Sequence, residues 1–174
     1  MHKLIFMEDQ KYLISLLKEE NCPKWVIDHS IGVCKKANEI AINFKDDVDL
    51  NLLTSGALLH DIGRSKSNGI DHGIIGYEIA IDLGFSEKLA NIIERHIGVG
   101  LTKYEALKFN LPLKNYIPLS LEERIVSHAD NLYDGVNEVG INFTIDKWMR
   151  KNEISNKSIL KLKKNHEELV LQFK

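Results

Sequence analysis

Apolar positions along this chain recur three and four residues apart over most of its length, and the strict alternation of a half-buried strand is nearly absent. The pattern predicts a succession of helices separated by caps and glycines. Residues 8–20 read as a first short helix. Pro23, suited to a first helical position, opens a long one through PKWVIDHSIGVCKKANEIAINF. Asp49 can cap LNLLTSGALLHDI, with Gly63 as its stop. Asp71 precedes HGIIGYEIAIDL, which ends at Gly84, and Ser86 caps EKLANIIERHI, which ends at Gly98. A weaker helix covers 102–109, and NLPLKNYIP, with Pro112 and Pro118, reads as loop. Ser120 and Glu123 make a capping box for LEERIVSHADNLYDGV. Thr144 can cap a further short helix, and an amphipathic Lys/Glu-rich helix begins near Ser155. The fold class is therefore all-α, a single-domain helical bundle with no internal repeat.

Composition narrows the function classes. A chain of 174 residues can bury about 70% of its unfolded surface, so it needs neither disulfide nor metal for stability alone. A net charge of −2 gives no electrostatic case for nucleic-acid or membrane partners. The two cysteines, Cys22 and Cys34, form no CxxC motif, and Cys34 reads as a core residue. With no signal-peptide pattern and no apolar run of membrane-spanning length, the expectation is a cytoplasmic protein. The tail can dock on the body or support a homodimer, although its charges more simply make a solvated face.

The ionisable residues on apolar faces carry the chemical information. His2 and His166, in the terminal segments, read as surface residues. His29 shares a stripe with Val26 and Val33 and faces inward; alone, it is more often a hydrogen-bonded core residue than a ligand. His60 and Asp61 end an apolar run one turn after Gly56 and Ala57, small residues that leave room for a neighbour. A buried carboxylate is costly unless paired, and an acid at a helix C-terminus opposes the dipole, so Asp61 needs a partner. His72 starts a helix, where the neutral imidazole that binds metals is favoured. His96 follows Ile92 and Ile93 on an apolar side, and Asp130 follows Val126 by one turn; His128 points about 200° from Asp130. Four histidines and two aspartates on inward faces of several helices suit Zn²⁺, Mn²⁺, Fe or Co²⁺ better than all-oxygen cations.

These residues resemble the H…HD…D signature of the HD-domain superfamily of metal-dependent phosphohydrolases, with HDIG at 60–63 as its core motif. The resemblance covers about 24–135, leaving about 144–174 as a C-terminal helical extension. DHGIIGYEIA and IIERHIGVG are similar to the extra histidine segments of the branch that binds two metals, which includes diadenosine tetraphosphate hydrolases and some cyclic-dinucleotide phosphodiesterases. The GYP segment of the latter is absent, which argues against that substrate. The chain also resembles small uncharacterised microbial HD proteins.

The resemblance implies a metal site between helices. His29, His60, Asp61 and Asp130 would hold one divalent ion, and Asp61, His72 and His96 a second, drawn from Fe, Mn, Co, Ni or Zn. It further implies hydrolysis of a phosphoester or phosphoanhydride in a nucleotide or other small phosphorylated compound, by water activated as hydroxide between the cations. Arg64 is the first candidate for binding substrate phosphate, with Lys66 and Lys103 weaker ones. Asn131 and Arg124 are candidates to orient the ligands. Three alternatives stay open: a single-metal nucleotidase in which His72 and His96 bind phosphate, a di-iron oxygenase, and a metal- or nucleotide-binding regulatory module.

Overall fold

The computed structural model describes residues 7–151 and 155–173. Helix α1 spans Met7–Glu19, α2 Lys24–Ala41, α3 Leu50–Leu59, α4 His72–Asp82, α5 Glu87–Arg95 and α6 Lys103–Lys108. After α7 (Leu121–Asn131) comes a small hairpin of β1 (Tyr133–Asp134) and β2 (Asn137–Glu138), then α8 (Ile141–Arg150) and α9 (Asn156–Leu169). The architecture is all-α apart from that hairpin, and no helix among the described residues could cross a membrane. His2 lies outside the described residues.

Helices α2, α3, α5 and α7 surround the main core, where Val26, Val33, Leu53, Leu59, Ile92, Ile93, Ile125 and Val126 are fully buried or nearly so. Burying one such side chain stabilises the fold by about 1.5–3 kcal/mol, so the core fixes how these helices stand. Gly56 on α3 permits a close approach: a Cβ there would lie 2.7 Å from Ile92 Cδ1 of α5. A second, smaller core joins Val99, Ile145, Trp148, Ile159 and Leu162, and it attaches α8 and α9 to the loop after α5. Arg124 anchors α9 from the other side through Glu168 and Asn165.

Most local signals held. Asp49 Oδ1 accepts from the N–H groups of Asn51 and Leu52, Ser86 Oγ from Leu89, and Ser155 Oγ from Ser158. Gly84 and Gly98 end their helices at positive φ. Several details differ. Pro23 is the N-cap of α2 rather than its first residue. Thr102 and Glu105 form a full capping box, whereas at α7 only half of one forms: Ser120 Oγ accepts from Glu123 N–H, but the Glu123 carboxylate accepts from Leu119 N–H and pairs with Arg95. Thr144 lies inside α8, which Gly140 caps, and its hydroxyl donates to Asn131 O; burial has turned the expected cap into a brace. His166, expected at the surface without partners, stands 3.0 Å from the buried His128, whose pKa burial pushes down to about 3.

Candidate metal centre

Four helix ends and one helix interior converge on six side chains. His29 comes from the first half of α2, and His60 is the C-cap of α3, with Asp61 next to it. His72 opens α4, His96 is the C-cap of α5, and Asp130 is the penultimate residue of α7. Apart from Asp130, whose side chain is 23% exposed, these residues are buried. Three sets of donor atoms, His29/His60/Asp61, His60/His96/Asp130 and Asp61/His72/His96, each lie within 4.8 Å of one another.

The hydrogen bonds assign the imidazole tautomers. Each Nδ1 faces a backbone carbonyl: His29 with Gly135 O at 2.6 Å, His60 with Ala57 O at 2.7 Å, His72 with Gly69 O at 2.6 Å and His96 with Ile93 O at 2.6 Å. A carbonyl can only accept, so every Nδ1 carries a hydrogen and every Nε2 of a neutral ring presents its lone pair. For His60 and His96 the carbonyl is one that the helix end leaves without an N–H partner. A histidine at a helix C-cap thus satisfies its own helix and aims Nε2 outward.

Those lone pairs meet. His29 Nε2 and His60 Nε2 are 3.2 Å apart, and His72 Nε2 and His96 Nε2 are 3.1 Å apart. Two lone pairs facing each other repel unless a proton or a cation lies between them. The spacing suits two nitrogens on one ion, since bonds of about 2.0–2.1 Å separated by 90–110° place them about 2.8–3.4 Å apart. Asp61 divides its oxygens between the pairs. Oδ2 is 3.8 Å from both His29 and His60 Nε2, while Oδ1 is 3.1 Å from His72 and 3.4 Å from His96. This buried Oδ1 makes no hydrogen bond, an orphan lone pair aimed at the second imidazole pair. Asp130 Oδ1 completes the first group, 3.0 Å from His29 Nε2. The donor set therefore fits divalent metal, with Arg64 Nε donating to Asp61 Oδ2 at 2.6 Å to hold the carboxylate in place.

Without metal, protons take its place. Burial alone would lower the His60 pKa, but the Asp61 and Asp130 carboxylates raise it to about 9. Burial opposes ionisation of Asp61, yet His60, His72 and His96 hold its pKa well below the ordinary value; His29 and His60 do the same for Asp130. Burial pushes His96 down. A raised folded pKa for His60 means its protonation stabilises the metal-free fold fully below the unfolded value of 6.5, and that contribution is lost as pH rises through about 9. Metal must displace this proton, so metal affinity is expected to rise about tenfold per pH unit up to about pH 9. Chelator-competition titrations from pH 6 to 9 measure it; an affinity that stays flat across that range contradicts the shared-proton account.

Comparison with known proteins shows the family. The family model described as HD domain matches residues 26–133. The chain belongs to the HD domain family. It is 48% identical to an uncharacterized protein of Methanocaldococcus jannaschii, over 90% of this chain and 95% of that one. It is 40% identical to a tRNA (cytidine(56)-2'-O)-methyltransferase of Picrophilus torridus, over 94% of this chain but 47% of the relative. The chain thus spans about half the length of that methyltransferase. Among solved structures, the HD domain of the L. monocytogenes phosphodiesterase PgpH superposes with a TM-score of 0.54 at 17% identity, covering 92% of this chain and 98% of the other. Its complex with cyclic-di-AMP gives a TM-score of 0.54 at 16% identity, covering 93% and 97%. These likenesses show the shared fold.

The other site candidates of this HD domain separate clearly. Arg64 lines a cleft of about 210 Å³ together with His29, Asp61 and Asp130. Lys66 is exposed, and neither it nor Lys103 lines that cleft; Lys103 Nζ lies over the Tyr104 ring. Asn131 lines the cleft and donates to Gly98 O, two residues beyond His96. Arg124 does not orient the cluster, since its guanidinium is spent on α9.

Sequence reasoning missed the hairpin, whose turn residue Gly135, at a φ of 57°, offers the carbonyl that orients His29. The Asp134–Gly135 pair was a readable turn signal. It also missed the cleft residues Trp25, Tyr133, Phe143, Lys147 and Trp148. Trp25 stands one turn before His29, and Tyr133 three residues after Asp130, which marks both as neighbours. Nothing local marks the residues on α8.

Proposed function

We propose that this protein is a metal-dependent phosphohydrolase that cleaves a phosphoester or phosphoanhydride in a nucleotide or similar small phosphorylated compound. The observation that supports it most is the facing of four Nε2 lone pairs in two pairs, with one oxygen of Asp61 turned toward each. That arrangement favours two ions over one: His29, His60, Asp61 and Asp130 would hold the first, and Asp61, His72 and His96 the second. Bound there, divalent metal would polarise phosphoryl oxygens and lower the pKa of water.

The chain's own residues supply the positioning. His60, His72 and His96 do not line the cleft, so substrate approaches from the side of His29, Asp61 and Asp130. Arg64 orients Asp61 through Nε, while its terminal amino groups have no hydrogen-bond partner among the described residues. They are free to grip a phosphate oxygen and neutralise charge as the P–O bond breaks. The Nδ1–carbonyl bonds hold the imidazoles rigid, so little reorganisation is needed during reaction.

A screen of nucleotides, dinucleoside polyphosphates and cyclic nucleotides with Mn²⁺, Co²⁺, Fe²⁺ or Ni²⁺ is expected to release phosphate or nucleoside monophosphate, with about two metal equivalents per chain. One equivalent with retained turnover would select the single-metal nucleotidase, and oxygen consumption without phosphate release the di-iron oxygenase. The methyltransferase relatives favour one further reading, a nucleotide-binding module serving a partner domain. Nucleotide binding with no turnover in any metal would select it.

A further inference from the structure

The cleft over the cluster has walls that the HD core does not supply. Trp25 forms one side, and Phe143, Thr144, Lys147 and Trp148 of α8 form another. All five lie outside residues 26–133, the segment matched by the family. The family match thus takes in the His/Asp floor and stops short of these walls.

The walls have a consistent chemistry. Trp25 is 45% exposed and Phe143 42% exposed, large aromatic surfaces left unburied at the rim of a polar cleft. Arg64 lies 5.7 Å from the Trp25 ring centroid, so a cation and an aromatic platform already stand together. Lys147 pairs with Asp134 at 2.5 Å, but both side chains are more than 40% exposed. Such a pair is held weakly, and Lys147 can exchange its partner for an entering anion. Thr144 ties α8 to the cluster helix through Asn131 O at 2.6 Å, and Gly98 packs against Trp148, so this wall is fixed. The volume of about 210 Å³ is below the roughly 300–1,000 Å³ of sites that enclose drug-sized ligands. It suits one phosphate and a sugar, with a planar group laid on the rim.

We propose that the cleft takes a single mononucleotide unit, its phosphate between the His/Asp cluster, Arg64 and Lys147 and its base against Trp25 and Phe143. α8 and Trp25 are then the specificity elements of this protein. This rests on the phosphohydrolase reading for the phosphate end only; the base platform stands on the aromatic rim.

Both tryptophans of the chain line this cleft, so intrinsic fluorescence reports its occupancy directly. The full chain, reconstituted with Zn²⁺, is titrated with adenosine 5'-monophosphate, ribose 5-phosphate and inorganic phosphate, and phosphate release is followed in the same samples. The nucleotide is expected to bind about tenfold or more tighter than the sugar phosphate, the scale of one base–aromatic stack. Trp25→Leu and Phe143→Ala should each shrink that gap by weakening the nucleotide far more than ribose 5-phosphate. Lys147→Gln should weaken all three ligands by a similar factor. Equal affinity for nucleotide and sugar phosphate in the wild type, or a gap that survives both aromatic substitutions, overturns the proposal, even if sugar phosphates are hydrolysed. A base-dependent gap without phosphate release supports the cleft assignment and removes the hydrolase reading instead.

Discussion

Asp61→Asn is expected to lower phosphohydrolase activity by about 10³-fold or more and to reduce bound metal below two equivalents per chain. The substitution is nearly isosteric, so the main changes are the lost charge and one lost acceptor. Oδ1 faces His72 and His96 and Oδ2 faces His29, His60 and Arg64, so an amide must give one set an NH₂ group. A donor there cannot ligate a cation, and no rotation of the amide serves both pairs. The apo protein also loses the anion that raises the His60 pKa, so His60 should shed its proton at lower pH. Metal analysis, turnover and a thermal scan separate site loss from unfolding. Activity within tenfold of wild type, with both metals retained, would refute the bridging role of Asp61.

Gly63→Ala is the second large effect, and it acts through the backbone. Gly63 lies in the tight turn after Asp61, and a Cβ there would come within 1.9 Å of His72 O and 2.7 Å of Gly76 N. Both are main-chain atoms of α4, so no side chain can yield. The turn must open or α4 must shift, and either movement displaces His72 from His96. A destabilisation of about 3 kcal/mol or more is expected, at the upper end for overpacking. For a folded variant, metal binding should fall more steeply than the melting temperature. Denaturant unfolding beside a metal titration tests this; wild-type values in both would mean that the close contact is not maintained.

The sequence expectation for Gly63 was a helix stop. Its backbone is not left-handed; it is needed for the contact it permits. The difference is instructive. Caps, periodicity and turn residues act within one or two helical turns, which is why Asp49, Ser86, Ser155, Gly84 and Gly98 were readable. The approach of α4 to the HDIG turn depends on two segments meeting in space. Glu123 and Thr144 departed from expectation for the same reason, as Arg95 and Asn131 O offered buried partners better than a local cap.

Five of the six residues of the candidate centre stood out because they end or interrupt an apolar run with an ionisable group, a costly choice that marks a partner, whereas His72 was read from its place at a helix start and from the family resemblance. The tautomers of His60 and His96 follow from contacts with carbonyls three residues back, which the structure shows. The sequence by itself thus determined the all-α class and the main helix limits from short-range rules, and its motifs, through the family resemblance, picked out the six residues of the candidate centre. Only the tertiary structure decided how the four lone pairs divide into two facing pairs, which oxygen of Asp61 serves each, and which walls enclose the cleft. Those depend on distances between segments far apart in the chain, from Trp25 to Lys147, and are set by how the two cores pack rather than by any local preference.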